Sequence, residues 1–566
     1  MAFISAGEIP ERRTGSVTGT IAKETRVFKA KSNSGYESTF TAVASGLSPS
    51  FLDIHPQNPY VTCRELEVRQ TDGKWGYEVT AQYSSEALSR EEKERGVLDP
   101  TDRRAIHKWD KRRSTIAQIR SYNGNAIVNA AGEYFDPPLD HNGKPVKGKG
   151  FITDDLTDHA LQFITDNQSR PFFCYVPFNT PHSPMQVPDR SYQKFANAEL
   201  KLRARNPRQE EVPFTRAALA MCENIDWNVG RILDRLEQLK LAERTVVIYF
   251  SDNGPNGWRW NGGMKGRKGS TDEGGVRSPF MIRWPGHIPA GERIPNIAGA
   301  IDLLPTLADL AAIPVASTKP LDGVSLKSLL LGTSKQWADR MIFSHWSGKV
   351  SARSQRYRLD DSGQLFDMQA DPGQDHDVSR KEPAAAARLS QALEKWSKEL
   401  LPGLRNDNRP FTVGYAQFPL TPLPARDGVA HGNVRRSAGA PNCSYFKNWT
   451  STNDSMTWDI EVATAGKYEA VIYYACPASD LGSTVQLGFL GSRVEGKLTE
   501  ANDPPLRGAE TDRVPRQSES YVKDFKPWRL GTVELSKGRG LLTLKAAAVA
   551  GKQVMEVRSV VLTLLK

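Results

Sequence analysis

The stretch from Thr245 to Pro279, TVVIYFSDNGPNGWRWNGGMKGRKGSTDEGGVRSP, constrains this chain more than any other. It opens with Val246-Val247-Ile248-Tyr249-Phe250, apolar throughout, the pattern of a parallel strand covered on both faces. The run stops at Ser251-Asp252-Asn253-Gly254, which sets a carboxylate and an amide oxygen at the strand's carboxyl end. Ligands of open α/β sheets bind at that edge, and hard oxygen donors of this kind suit Ca²⁺ or Mg²⁺. A glycine-rich loop follows, with Lys265, Arg267 and Lys268 able to bring positive charge close to an anion.

Around this stretch, strand and helix patterns alternate. Thr153-Asp154-Asp155 can cap a helix running to about Asn167, with Leu156, Ala160, Phe163 and Ile164 on one face. A strand over Pro171–Pro177 follows, placing Cys174 in the core, and ends at Asn179-Thr180-Pro181-His182-Ser183-Pro184. Ala218, Met221, Ile225, Val229, Ile232 and Leu236 recur at helical spacing between Thr215 and Leu239. After Phe280–Pro285 comes a helix near Asp302–Ala311. The alternation predicts an α/β fold, a mostly parallel sheet with helices on both faces. A small α+β subdomain over 341–402 holds a hairpin at Arg353–Leu359 and Gln364–Asp367 and a last helix from Pro383 to Leu400. Pro402–Pro424 reads as part of a linker ending near 429. Short alternating strands with glycine turns over 430–566 predict an all-β sandwich.

The quoted stretch resembles the sulfatase signature (S/T)DNG…GxKGxxxEGGVRxP of the alkaline-phosphatase superfamily, and the resemblance covers about residues 130–400. Residue by residue, it implies an arylsulfatase-like sulfuric ester hydrolase with an alkaline-phosphatase-like core over 126–340. Asp252 and Asn253 match half of the family's divalent-metal ligands, Ca²⁺ or Mg²⁺. Lys268 matches the lysine that grips the sulfate and His182 the histidine of the same pocket. Glu273, Gly274, Gly275 and Arg277 match the following loop, where a structural role is expected. Lys265 and Arg267 flank the site with no transferred role. Taken singly these residues have plainer readings: an Asx turn, a loop histidine and a solvated lysine.

The chain departs from the family pattern over residues 1–125. No apolar strand ends there in paired aspartates, so metal binding is expected to be weakened. The C-x-(P/A)-x-R motif, whose cysteine becomes the formylglycine nucleophile, is not found. Cys63 is followed by Arg64, Glu65, Leu66 and Glu67, and the nucleophile stays unknown. Gly73-Lys74-Trp75-Gly76 lacks the histidine of the family's G-K-W-H. Two explanations stand: a frame-shifted or misassigned first third, or a degenerate paralogue surviving as a binder. Ordering about 125 residues costs ~1–2 kcal/mol of backbone entropy each, and the short apolar runs here are expected to leave the segment irregular or weakly docked.

Composition narrows the partners. With 39% hydrophobic and 25% charged residues and no apolar run long enough to span a bilayer, no membrane span is expected. The net charge of +10 is spread along the chain, which suits a solvated surface or a polyanionic substrate, and no nucleic acid is expected. Sulfated carbohydrate or aryl sulfate is the expected partner. Catalytically dead carbohydrate binding and phosphate- or phosphonate-ester hydrolysis are the alternatives. The family suggests periplasmic or secreted placement, whereas MAFISAGEIPERRTGS has no basic start followed by an apolar core. Five cysteines without CxxC spacing argue against structural zinc, and Cys443 could pair with Cys476. Tyr445, Phe446, Trp449, Trp458, Tyr473, Tyr474, Tyr521 and Trp528 are either sandwich core or a glycan-stacking surface.

Overall fold

The computed structural model describes residues 133–141, 144–315, 320–334, 336–402, 409–415, 419–441 and 443–565, together with the backbone of strands between residues 3 and 129. It divides into two compact units, Met1–Lys111 with Leu307–Val324, and Arg112–Thr306 with Ser325–Lys566.

In the first unit, strands Phe3–Glu8 (β1), Thr14–Thr18 (β2), Ile21–Ser32 (β3), Ile54–His55 (β4), Asn58–Gln70 (β5) and Gly76–Ser84 (β6) pair antiparallel in the order β1-β3-β6-β5-β4, with β2 beside β3. These stretches are therefore strands, where irregular chain was expected. Cys63 lies on the backbone of β5. Its side chain and Gly73-Lys74-Trp75 lie outside the described residues.

The second unit begins with a three-stranded meander, Ile127–Asn129 (β7), Pro138–His141 (β8) and Lys144–Lys147 (β9). Helix Ile152–Asp166 (α1) follows. Its N-cap is Phe151, without a side-chain cap, so Thr153, Asp154 and Asp155, expected to cap it, lie in its first turn. Asp154 instead ties α1 to helix Val212–Gln238 (α2), accepting from Asn224 and Asn228 at 2.9 and 2.8 Å. Ile152, Ala217, Ala218 and Met221 are buried between these helices with Met185 and Val187. Further along, Ile164, Leu236 and Leu241 enclose Val247, which opens strand Val247–Phe250 (β10).

β10 pairs antiparallel with strand Phe280–Arg283 (β11), and this is the pairing of the α/β core among the described residues. The expected parallel neighbours are not among them. Phe172–Val176 has no regular secondary structure and joins no ladder, and Cys174 is half-buried with its thiol raised to about 11 by burial. Several large apolar side chains are exposed here: Phe173, Tyr175, Phe250, Phe280 and Met281, the last by 63%.

A helix occupies Leu303–Leu310 (α3). Strands Ile342–Trp346 (β12), Lys349–Arg353 (β13), Tyr357–Leu359 (β14) and Leu365–Asp367 (β15) form an antiparallel sheet, covered by helix Pro383–Leu400 (α4) through Leu389 and Leu393. The hairpin and terminal helix therefore fall where the sequence places them.

The C-terminal sandwich packs two sheets around one core. One sheet runs Phe411–Val413 (β16), Ser455–Val462 (β21), Gly538–Ala548 (β26), Thr484–Phe489 (β23), Ser492–Lys497 (β24), with Val429–His431 (β18) beside β21. The other runs Arg435–Arg436 (β19), Phe446–Lys447 (β20), Glu556–Leu564 (β27), Gly466–Ala475 (β22), Lys526–Leu535 (β25), with Leu420–Pro424 (β17) beside β27. β16 and β17 come from the stretch expected as linker, so the sandwich begins near 411. Tyr445, Phe446, Trp449, Trp458 and Tyr474 are buried, as core aromatics. Cys443 and Cys476 are both free, and the Cys476 thiol donates to the Val554 carbonyl. The disulfide considered from sequence is not formed.

Candidate functional site

The carboxyl end of β10 turns sharply because its glycines have no side chains. A Cβ on Gly254 would lie 1.9 Å from the Gly274 carbonyl oxygen, and one on Gly275 2.4 Å from that of Ser270. Backbone therefore packs on backbone. Gly254 N donates to Gly275 O at 3.0 Å, Lys268 N to Pro255 O at 2.9 Å, and Gly274 N to Lys265 O at 2.7 Å. These bonds bring the Lys265–Lys268 loop against the Asp252-Asn253 turn. Gly266 and Gly269 take φ of +85° and +88°, conformations that a side chain strains.

The flanking charges hold this loop to the β12–β15 subdomain. Glu273 is 5% exposed and pairs with Arg358 at 2.8 Å and Arg353 at 3.4 Å. Burial pushes its carboxyl up, but Arg358 first and Arg353 next outweigh that and hold it below the ordinary glutamate range. Lys265 bonds Asp360 at 2.9 Å, approaches Asp272 at 3.6 Å and lies over the Phe366 ring. Burial disfavours its charge, yet Asp360 and Asp272 raise it overall. Lys265 is thus structural. Arg267 covers the Trp258 ring and donates to Asn256 O.

Asp252 is exposed. Asn253 is half-buried, and its Nδ2 donates to Gly254 O at 2.9 Å, which leaves its Oδ1 as the acceptor. These are two donors of the right chemistry for a hard cation. Among the described residues no group of three or more His, Cys, Asp or Glu stands where a metal could sit. The described set is therefore incomplete for Ca²⁺ or Mg²⁺, which prefer six or more ligands in all.

His182 is held by a different set of contacts. Its loop contains cis peptides before Pro181 and Pro184. Nδ1 lies 2.7 Å from Ser183 O, and a carbonyl only accepts, so the proton sits on Nδ1 and Nε2 is left for other partners. Glu519, from the sandwich, lies 4.0 Å from Nδ1. The hydroxyl of buried Tyr134 donates among the carbonyls of Asn179, His182 and Ser183 at 3.3, 3.1 and 3.1 Å. Burial, then Glu519, pushes this phenol well above its usual range, so it stays a donor. Backbone bonding thus unites Asp252, Asn253 and Lys268, while His182 is anchored through Tyr134 and the sandwich. Tyr134, Arg353 and Arg358 carried no local sequence signal, because their partners are 45 to 85 residues away.

Comparison with known proteins gives the family. Residues 75–313 match the Sulfatase family model, and residues 268–399 match the C-terminal domain of N-sulphoglucosamine sulphohydrolase. The chain therefore carries a sulfatase-family domain over residues 75–313, and the matched region begins at Trp75, upstream of where the sequence motifs become legible. It is 31% identical to human arylsulfatase A over 273 residues, 42% of this chain and 50% of that one. It is 29% identical to a sulfatase of Formosa agariphila over 311 residues, 49% of this chain and 54% of that one. It is 27% identical to an N-acetylgalactosamine-6-O-sulfatase of Bacteroides thetaiotaomicron over 282 residues, 43% and 50% of the two chains. The chain spans about half the length of these relatives. Among solved structures, Ps i-CgsB in complex with k-i-k-neocarrahexaose superposes with TM-score 0.41 at 32% identity, covering 46% of this chain and 58% of that one.

Proposed function

We propose that the carboxyl end of β10 is a sulfate-ester recognition site for a sulfated sugar or aryl sulfate, in a chain that lacks an assigned nucleophile. Lys268 supplies positive charge to the sulfuryl oxygens, and His182 offers Nε2 to the same group. Fixed donors of this kind stabilise charge without reorganisation. Asp252 and Asn253 are the two metal ligands the chain retains. A divalent cation, when bound, supplies further electrostatic stabilisation of the ester oxygens. The described donors do not by themselves complete its coordination. The two-step covalent route needs an activated nucleophile, and Cys63 lacks the neighbours from which one is made. The reading is supported most by the bond from Lys268 N to Pro255 O, which ties the lysine to the turn carrying the two ligands.

Desulfation of an aryl sulfate and a sulfated polysaccharide, measured beside their binding, tests this. The expected result is binding lost in Lys268→Ala, with little or no release of sulfate. Absence of binding to any sulfate ester would overturn it. Turnover of a phosphate or phosphonate ester instead would assign the site to the other branch of the superfamily.

A further inference from the structure

The sandwich reaches the His182 loop through a series of buried and part-buried hydrogen bonds that passes through Tyr134. Arg516, on the segment between β24 and β25, is buried and bonds Glu133 at 2.7 Å and Asp512 at 2.9 Å. Burial alone would weaken its charge, but Asp512 and Glu133 together raise it, so the guanidinium stays charged. The other oxygen of Glu133 accepts from Gln186 Nε2 at 2.9 Å. Gln186 Oε1 then accepts from the backbone N–H of Tyr134 at 2.9 Å. Tyr134 closes the series by donating to the carbonyls on both sides of the His182 side chain. The same segment fixes the next residues: Arg513 N donates to Met185 O at 2.8 Å, the Arg513 guanidinium to Val187 O at 2.7 Å, and Gln186 and Asp512 form an antiparallel bridge.

From this arrangement we infer that Arg516 is a positioning residue for His182, so that the sandwich completes the candidate sulfate site and is not an independent appendage. Each group in the relay has one directional role. The guanidinium fixes Glu133, the carboxylate fixes Gln186, the amide orients Tyr134, and the phenol sets the carbonyl arc from which Nε2 is presented. The interactions are buried, where an unmet partner is costly and a met one is directional. Glu519 at 4.0 Å places a second sandwich group beside the imidazole. The inference rests on the assignment of His182 to the sulfate pocket.

The test uses the full chain with Arg516→Gln, Arg516→Lys and Tyr134→Phe. Tyr134→Phe removes one hydroxyl and keeps the ring, so it reads the relay even where the Arg516 variants fold poorly. Three quantities are followed: the His182 imidazole NMR signal, identified by its loss in His182→Ala, amide exchange over residues 179–187, and affinity for inorganic sulfate. The expected result is a displaced His182 signal and faster exchange in Arg516→Gln and Tyr134→Phe, with sulfate affinity about two- to tenfold weaker, and partial recovery in Arg516→Lys. Wild-type signal and exchange in folded Tyr134→Phe would overturn the inference. Displacement of both, with sulfate binding unaffected by His182→Ala, would uphold the coupling and remove His182 from the sulfate pocket.

Discussion

At the residue scale, the signature is largely a steric and electrostatic prescription. Gly254 faces the Gly274 carbonyl so closely that Gly254→Ala must displace the loop backbone. Overpacking of this kind costs about 1–3 kcal/mol or more, and chemical denaturation of the variant should show a loss of at least that size. Glu273 carries a different load. Replacement by Gln leaves Arg358 and Arg353 buried without a countercharge and should cost about 3–5 kcal/mol. Its carboxyl is held below the ordinary range in the folded chain, so its contribution is full above the unfolded glutamate value. It is lost as pH falls through the lower folded value. A pH series of melting temperatures should therefore fall on acidification in the wild type, and fall less steeply in Glu273→Gln. The glycines and Lys268 were legible in the sequence because their geometry is local. Arg353 and Arg358 were not, because their partner Glu273 is 80 and 85 residues distant.

At the scale of elements, α2, α4 and the β14–β15 hairpin follow from periodicity and turns. Two differences have physical reasons. The stretch read as linker contains β17, with Pro422 and Pro424 within it, and proline is tolerated in a strand at the edge of a sheet, where β17 pairs with β27. The apolar run at Phe172–Val176 has the composition of a buried strand yet joins no ladder, because composition does not supply the neighbouring strand. β10 and β11 consequently present Phe250, Phe280 and Met281 to solvent. An apolar surface of this kind favours self-association. Met281→Lys should reduce concentration-dependent light scattering while changing unfolding free energy by no more than about 0.5 kcal/mol. Unchanged scattering would show that Met281 is not part of an adhesive surface.

For the whole molecule, the sulfatase match covers residues 75–313 and the N-sulphoglucosamine sulphohydrolase C-terminal match residues 268–399, while the largest buried apolar cluster belongs to the sandwich. The proposed recognition residues Asp252, Asn253, His182 and Lys268 lie in turns and loops, whereas the family's nucleophile motif was not found in residues 1–125. The chain is thus proposed to recognise a sulfate ester without an assigned nucleophile. The most direct test of this is to produce the full chain and Cys63→Ala together with a formylglycine-generating enzyme. Residue 63 is then read by peptide mass spectrometry, and aryl sulfate turnover is measured on the same preparations. The account predicts an unmodified Cys63 and no turnover above that of Cys63→Ala. Formylglycine at residue 63, with turnover abolished by Cys63→Ala, would contradict it.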